Sequence, residues 1–274
     1  MDLIKQSNKK YKKAQIIQPM FLFLSLLRSA AILPDKCVKA GMIALTFDEG
    51  PTGYTPAILE MLRDEDVKAT FHFTIQNITR GNISEHMREA VEDGHTVGLR
   101  VNPTRNYDEM DSGEIKEDIE QQIKAIQNET ETKIKFARAP VDAGETNADV
   151  YNALMEKKII QSNYTYCLYY EVEDVDAARE YLNKVFNASN PKYDSFIFLL
   201  HEEREKDFPI MQDIITLGKK NGYKFVTMDE CLNGYQPGTA VNSKASAQKL
   251  KRSSSASNTL TVPLSLLIFL LVGF

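Results

Sequence analysis

Charged side chains with complementary chemistry stand directly after apolar runs of this 274-residue sequence. They are two carboxylates, two guanidinium groups and an imidazole: Asp48, Glu49, Arg100, Arg138 and His201. Carboxylates and imidazoles move protons, and guanidinium groups pair with carboxylates. A single polar residue after a strand only begins a loop, but a set that includes acids, cations and an imidazole predicts a functional site.

Apolar runs alternate with segments of helical spacing along the body of the chain. The predicted strands cover residues 42–47, 67–75, 96–99, 133–137, 159–168, 195–200 and 223–227, and the predicted helices cover 56–63, 84–91, 112–127, 148–157, 175–186 and 208–221. This alternation predicts a parallel sheet covered by helices, either a barrel or a doubly wound sheet. Because the carboxyl ends of parallel strands converge, the five charged side chains should meet at one end of the sheet.

The net charge of the chain is −5, but the charged residues are distributed unevenly along it. Residues 1–31 carry six Lys/Arg and one Asp, and residues 242–252 carry four Lys/Arg and no acid. The body, residues 32–241, therefore holds 37 acidic and 23 basic side chains. A body this acidic repels phosphate backbones, so the sequence argues against nucleic-acid binding. Apolar residues make up 43% of the chain, which excludes a disordered or a polytopic membrane protein.

Both ends of the chain are typical of targeting signals. Residues 1–31 combine a basic stretch, an apolar run from Met20 and a small-residue cleavage site, which predicts a secretory signal; translation could begin at Met1 or at Met20. A polar linker over 236–259 precedes an apolar tail over 260–274. This order predicts a glycosylphosphatidylinositol attachment signal, with a tail-anchored helix as the alternative. The expected location is the cell surface or the cell wall, with the membrane contacted through the tail.

Because disulfides form in secreted proteins, the positions of the cysteines can be used to predict a disulfide. Cys37 precedes the first predicted strand and Cys231 follows the last, so we predict a disulfide that joins the two ends of the body. Cys167 remains, and we expect it to be buried and unpaired. Asn-X-Ser/Thr sequons add weak support for a secreted glycoprotein; they begin at Asn77, Asn82, Asn128, Asn163 and Asn187.

Several short motifs occur in one order and spacing across residues 41–232. They are TFDEGP at 46–51, KATF at 68–71, GHTVG at 94–98, FARAP at 136–140, FLLH at 198–201 and GYKFVT at 222–227. Together they resemble the polysaccharide deacetylases of the NodB-homology class, which include chitin deacetylases. The resemblance implies a distorted (β/α)7 barrel over 41–235, after a lead-in at 32–40 that contains Cys37, and an ancestry in metal-dependent removal of acetyl groups from glycans.

The same resemblance assigns roles to the charged residues. Asp48 matches the base that activates water, Arg138 the residue that orients this base, and His201 the acid that protonates the leaving group. Glu49 matches the carboxylate ligand of the metal. The other two ligands of the family are a His pair, and here Arg100 and Thr104 stand at those positions.

A substrate-binding segment is implied near Pro140. The family also has a motif with Trp that tunes the catalytic His, and this chain contains no Trp.

Loss of two imidazole ligands predicts that no zinc or other divalent cofactor binds, because catalytic zinc needs three protein ligands. We therefore expect a surface protein that associates with chitin-like or other wall glycans and retains Asp48, Arg138 and His201 as vestiges. The alternatives are an active glycan N-deacetylase with a rearranged site and a barrel that serves only as a scaffold. Without a metal, Asp48 and Glu49 would repel each other, so we predict a guanidinium within salt-bridge reach of one of them.

Overall fold

The structure is a computed structural model, and it describes residues 32–78, 84–142, 145–168 and 174–241. The predicted secretory signal and apolar tail lie outside these residues. The strands are β1 (Met42–Gly50), β2 (Thr70–Phe73), β3 (Thr96–Arg100), β4 (Phe136–Arg138), β5 (Val141–Asp142), β6 (Glu145–Thr146), β7 (Ile160–Gln161), β8 (Tyr166–Cys167), β9 (Phe196–His201) and β10 (Lys224–Val226). The helices are α1 (Thr55–Asp64), α2 (Glu85–Glu92), α3 (Ser112–Thr130), α4 (Ala148–Glu156), α5 (Val175–Ala188), α6 (Asp207–Lys220) and α7 (Met228–Cys231).

The strands of the main sheet are parallel and follow the order β7-β4-β3-β2-β1-β9-β8, while β10 pairs with the start of β1. Among the strands of the described residues, β5 and β6 lie outside this sheet, as a small antiparallel pair. With its surrounding helices, the sheet forms a distorted (β/α)7 barrel, which confirms the predicted fold class. Its edge strands are β7 and β8.

The single strand predicted over 159–168 is wrong. The structure contains two short strands there, β7 and β8, because the backbone between them bonds elsewhere. The Asn163 amide donates to the Pro34 carbonyl, and the Thr165 amide donates to the Ile197 carbonyl. The first strand is longer than predicted and continues through Asp48 and Glu49, since Asp48 pairs with strands on both sides.

Alternation along β1 separates the two faces of the sheet. Ile43, Leu45 and Phe47 are buried in the main apolar core beneath the helices. The isoleucine stripe of α3 packs in the same core, as its spacing predicts: Ile115, Ile119, Ile123 and Ile126. Burial of each such side chain contributes about 1.5–3 kcal/mol, which fixes the helices against the barrel wall.

A second apolar cluster closes the amino-terminal end of the barrel. We call it the base cluster: Cys37, Ala44, Phe136, Ile197, Val226, Met228, Cys231, Leu232 and Tyr235. Within it, Cys37 and Cys231 form a disulfide with their Cα atoms 4.5 Å apart. Cys167 is free and buried.

Within the ranges described above, none of the helices combines the length and the apolar composition needed to cross a membrane.

Candidate functional site

Strand register brings the predicted site residues to the carboxyl end of the barrel. Asp48 of β1 lies opposite His201 of β9 on one side and opposite His72 of β2 on the other. Arg100 of β3 lies opposite Arg138 of β4. We call this set the rim network: Asp48, Glu49, His72, Arg100, Arg138 and His201.

Asp48 is the buried centre of the rim network, with a side chain that is 1% exposed. His72 Nδ1 lies 3.0 Å from Asp48 Oδ1, Arg100 Nε lies 3.5 Å from Asp48 Oδ2, and Arg138 Nε lies 4.0 Å from the same oxygen. Burial alone would raise the pKa of Asp48, but Arg138, the His72 hydrogen bond and Arg100 together hold it well below its usual range. Asp48 is therefore ionised at neutral pH.

Glu49 is aimed into the same network by an unusual backbone conformation. Its φ is +67°, in the left-handed region that a residue other than Gly adopts only when its surroundings hold it there. Arg100 Nε donates to Glu49 Oε1 at 2.9 Å, and His201 Nδ1 lies 2.5 Å from Glu49 Oε2. Both carboxylate oxygens of Glu49 thus have a cationic or imidazole partner.

The predicted contact between a guanidinium and these acids is confirmed. The side chain of Arg100 is only 13% exposed, and its Nε atom faces both Asp48 and Glu49. Its Nη1 atom also donates to the Arg138 carbonyl at 3.4 Å. Arg100 is consequently an internal cation of the rim network and does not extend into solvent.

Arg138 lies deeper in the barrel, where its Nη2 atom donates to Thr46 Oγ1 at 3.0 Å. Its guanidinium carbon is 5.5 Å from the ring centroid of Tyr164, a cation–π distance. Arg138 is therefore oriented from three sides, by Thr46, Tyr164 and Asp48.

His201 links the rim network to β8. Its pKa is raised to about 10, because hydrogen bonds with Cys167 and Glu49 and the charges of both acids outweigh burial, which lowers it. The Nε2 atom lies 3.5 Å from Cys167 Sγ. The imidazole is therefore protonated at neutral pH and adds a positive charge to the network.

Sequence reasoning missed His72, which reads as an ordinary strand histidine. Burial holds the pKa of His72 below its usual value, so the ring is neutral and its Nδ1–H donates to ionised Asp48. The neighbouring Gly98 makes room for this ring, because a Cβ there would lie 2.7 Å from His72 Cδ2. The sequence signal that could have identified His72 is the alternation of β2, which points His72 and Thr70 into the barrel.

Comparison with known proteins shows which proteins this chain is similar to. Residues 35–161 match the polysaccharide deacetylase family. The chitin deacetylase of Colletotrichum lindemuthianum is 26% identical over 210 residues, which cover 72% of this chain and 82% of that protein. Residues 35–161 thus have the sequence pattern of a polysaccharide deacetylase domain. A bifunctional xylanase/deacetylase of Pseudobutyrivibrio xylanivorans is 28% identical, over 69% of this chain and 30% of that protein.

Solved structures agree with this family. The Colletotrichum lindemuthianum chitin deacetylase superposes with a TM-score of 0.65 and 26% identity, over 72% of this chain and 90% of that chain. A CE4 family pseudoenzyme from Bacillus anthracis superposes with a TM-score of 0.60 and 23% identity, over 73% of this chain and 68% of that chain. The second similarity shows the fold alone.

The fold does not bring all the predicted site residues together. Thr104 is exposed, and its hydroxyl accepts from Gln76 Nε2 at 2.6 Å and donates to Asn102 Oδ1 at 3.0 Å. It is held in this surface network and has no contact with Asp48, Glu49 or Arg100 among the hydrogen bonds of the described residues. Pro140 is half-buried just after β4, near the rim.

The residues at the family's ligand positions do not fit a divalent metal. Both oxygens of Glu49 are engaged, the guanidinium of Arg100 has no lone pair to offer, and the hydroxyl of Thr104 is bonded elsewhere. Across the described ranges, no group of three His, Cys, Asp or Glu side chains is arranged to hold an ion. The permanent charge of Arg100 would also repel a cation beside Asp48.

Proposed function

We propose that this chain is a secreted, surface-anchored member of the polysaccharide deacetylase family that associates with wall glycans and has lost metal-dependent deacetylation. The observation that carries the proposal is Arg100, whose Nε atom lies 2.9 Å from Glu49 and 3.5 Å from Asp48. The guanidinium supplies within the chain the positive charge that the family takes from its metal.

The surroundings of the residues that match the family's base and acid, Asp48 and His201, support the loss of hydrolysis. In the proposed state, Asp48 accepts a hydrogen bond from His72 and forms ion pairs with Arg100 and Arg138, which leaves it a weak base for activating water. His201 keeps its proton because Glu49 stabilises the imidazolium. Asp48, Arg138 and His201 then act as members of a stabilising ion network.

Metal analysis combined with an activity assay tests this proposal. We expect substoichiometric zinc in protein purified without chelators, and no acetate release from N-acetylglucosamine oligomers with or without added zinc. The chitin deacetylase of Colletotrichum lindemuthianum serves as the positive control. Stoichiometric zinc together with acetate release would contradict the proposal.

An active deacetylase with a rearranged site is the second candidate. Its support is that Asp48, Arg138 and His201, which match the family's base, orienting residue and acid, still lie together in one network. Acetate release from the zinc-free protein, abolished by Asp48→Asn, would favour this candidate over the first.

The surface location rests on the two ends of the sequence. An apolar tail over 260–274 after a polar linker supports a glycosylphosphatidylinositol anchor, and residues 1–31 support secretion. We expect the mature protein at the cell surface, released by a phosphatidylinositol-specific phospholipase C. A protein that stays with the membrane after this treatment would instead favour the tail-anchored helix.

A further inference from the structure

We propose that Asn128 and Asn187 carry N-linked oligosaccharides in the mature protein, and that Asn77, which also begins an Asn-X-Ser/Thr sequon, stays unmodified. This inference rests on the proposed secretion, because such sequons are modified in secreted proteins. It selects among the sequons by the burial and the hydrogen bonds of each asparagine, which the sequence does not show.

The modification joins the side-chain amide of asparagine to a sugar. The Nδ2 atom forms a bond with C1 of the first sugar of a lipid-linked oligosaccharide. The bond between that carbon and the lipid pyrophosphate breaks, the pyrophosphate leaves, and Nδ2 gives up one proton. Because the product is bulky, a folded chain can keep it only where the asparagine amide is exposed and is not used by the fold.

Two sequons place an exposed asparagine near the end of a helix. Asn128 lies in the last turn of α3 and Asn187 in the last turn of α5. Both side chains are exposed, and neither amide group takes part in a hydrogen bond among the described residues. The hydroxyls that complete these sequons, on Thr130 and Ser189, donate to carbonyls of the preceding turn. Transfer therefore has to precede folding, and the folded helices then leave both oligosaccharides in solvent.

Both positions lie at the amino-terminal end of the barrel. A helix that follows a parallel strand runs back along the barrel, so its last turn lies beside the start of the next strand. Here α3 leads to β4 and α5 leads to β9, and β3, β2 and β1 lie between those two strands in the sheet. The oligosaccharides therefore project from two separate sides of the barrel and leave the rim network, at the other end, uncovered.

Asn77 differs from these two positions in its burial and in its hydrogen bonding. It is 6% exposed, and its Nδ2 atom donates to the Glu49 carbonyl at 3.1 Å. This contact helps to hold the left-handed backbone of Glu49, whose carboxylate pairs with Arg100 and His201. A sugar on Nδ2 needs space that the buried position lacks and would displace the Glu49 backbone. Folded, secreted protein should therefore contain Asn77 without a sugar.

The two remaining sequons are assigned no oligosaccharide. Asn163 is half-buried between β7 and β8, and its Oδ1 atom accepts from the next backbone amide at 3.0 Å. The hydroxyl of its sequon, on Thr165, bridges the Asp35 carbonyl and the Ile197 amide, which ties this segment into the fold. Asn82 lies outside the described residues.

Peptide mass spectrometry of the full chain, secreted from a eukaryotic host, tests the assignment. Peptide N-glycosidase F in heavy-oxygen water converts each modified asparagine to labelled aspartate. We expect label at Asn128 and Asn187 and none at Asn77. In gel electrophoresis, Asn128→Gln and Asn187→Gln should each remove one mobility step, and the double variant should remove both. The matched control is Asn183→Gln, which changes an exposed asparagine of α5 outside any sequon and should leave the mobility unchanged.

A further variant tests the role of the Asn77 amide. Asn77→Gln should leave the number of mobility steps unchanged but reduce the amount of secreted protein, because the longer side chain misplaces the amide that contacts Glu49. Label at Asn77 in secreted, folded protein would contradict this role.

The outcomes separate this inference from the proposed function. Secreted protein without label at Asn128 or at Asn187 would show that assignment to be wrong while the proposed secretion stands. A chain that stays in the cytosol of the host without oligosaccharides would show that both the secretion and the assignment are wrong.

Discussion

At its amino-terminal end the barrel is closed by a disulfide and apolar side chains, whereas its carboxyl-terminal end holds ionised groups in close contact. In the base cluster, Cys37, Cys231 and Met228 are fully buried, and each apolar neighbour contributes independently of pH. In the rim network, Asp48 is equally buried but carries a charge that must be balanced by its neighbours.

Because of this difference, the two ends of the barrel should lose stability in different ways when a side chain is removed. An apolar cluster loses stability roughly in proportion to the area removed, and its remaining members still pack. A buried ion network responds differently, because deleting one partner leaves an opposite charge without compensation, and the loss then depends on pH. The carboxyl end of the barrel should therefore depend on Arg100, whose guanidinium lies between Asp48 and Glu49.

The largest effect is expected from opening the base cluster. Replacing Cys37 and Cys231 together with Ser should lower the free energy of unfolding by about 2–5 kcal/mol, because the bridge closes a long loop in the unfolded chain. The sequence separation of the two cysteines is 194 residues. Urea unfolding of the variant, and of the parent with and without reductant, measures this loss.

Peptide mapping under non-reducing conditions provides the control. It should recover the Cys37–Cys231 bridge and an unmodified Cys167 thiol. A bridge that contains Cys167, or a double variant as stable as the parent, would contradict the assignment.

Removal of the internal cation should have the next largest effect. Arg100→Ala should lower stability at neutral pH by about 1–3 kcal/mol, more than the ~0.2–1 kcal/mol of a surface pair, because it strands Asp48 and Glu49. The pKa of Asp48 is depressed in the folded protein, so the stabilisation is present above its unfolded pKa and is lost as the pH falls. The difference between variant and parent should accordingly shrink below about pH 4.

The matched control is Arg63→Ala. Arg63 also pairs with two acids, Glu89 and Asp93, but its side chain is 50% exposed. Chemical denaturation across pH should therefore show a small and nearly constant loss for this variant. Equal losses for the two variants at pH 7 would contradict a special role for Arg100.

Much of the rim network could be predicted from the sequence, because its residues stand where apolar runs end. Asp48, Arg100, Arg138 and His201 each stand at the end of a short run of buried residues, and parallel topology is enough to bring such ends together. The base disulfide was also predictable, since Cys37 and Cys231 flank the alternating pattern.

Other members of the site depend on register, which the sequence does not show. His72 contacts Asp48 only because β2 pairs with β1 at that residue, and Cys167 meets His201 because β8 lies beside β9. Thr104 matches a ligand position of the family, but it follows the strand on an exposed loop and bonds to Gln76. Spacing along the chain predicts which side chains lie close together within one helix or strand, but it does not predict this beyond the end of that element.

A buried acid next to the rim network allows a pH-dependent test. Glu202 is fully buried in the space left by Gly50, where a Cβ would clash with its carboxyl group, and its Oε2 atom accepts from Thr55 Oγ1. Burial, with the charges of Glu49 and Asp48, raises the pKa of Glu202 to about 8, although the Thr55 bond lowers it. The folded protein therefore keeps this proton over a pH range in which the unfolded chain releases it.

Stability should consequently fall as the pH rises from about 4.5 to about 8. Glu202→Gln removes this dependence and should stabilise the protein by roughly 1–3 kcal/mol at pH 7, with little difference at pH 4. The exposed neighbour Glu203, changed to Gln, is the control and should have no such pH-dependent effect. Loss of stability in Glu202→Gln at pH 7 would show that Glu202 is ionised in the folded protein.

The smallest expected effect is the response of the rim network to partial restoration of a metal site. Arg100→His supplies one imidazole, but Glu49 remains paired with His201, and one further ligand is still missing. We expect no stoichiometric zinc in this variant by metal analysis.

Addition of Thr104→His restores the family's ligand spacing, but the new side chain must leave the surface position beside Gln76 and Asn102. The double variant should therefore bind zinc measurably yet weakly, and Thr104→His alone should bind none. Tight zinc binding by Arg100→His alone would mean that Glu49 and His201 already form most of a metal site, and that the guanidinium of Arg100 does not stand in for a lost ion.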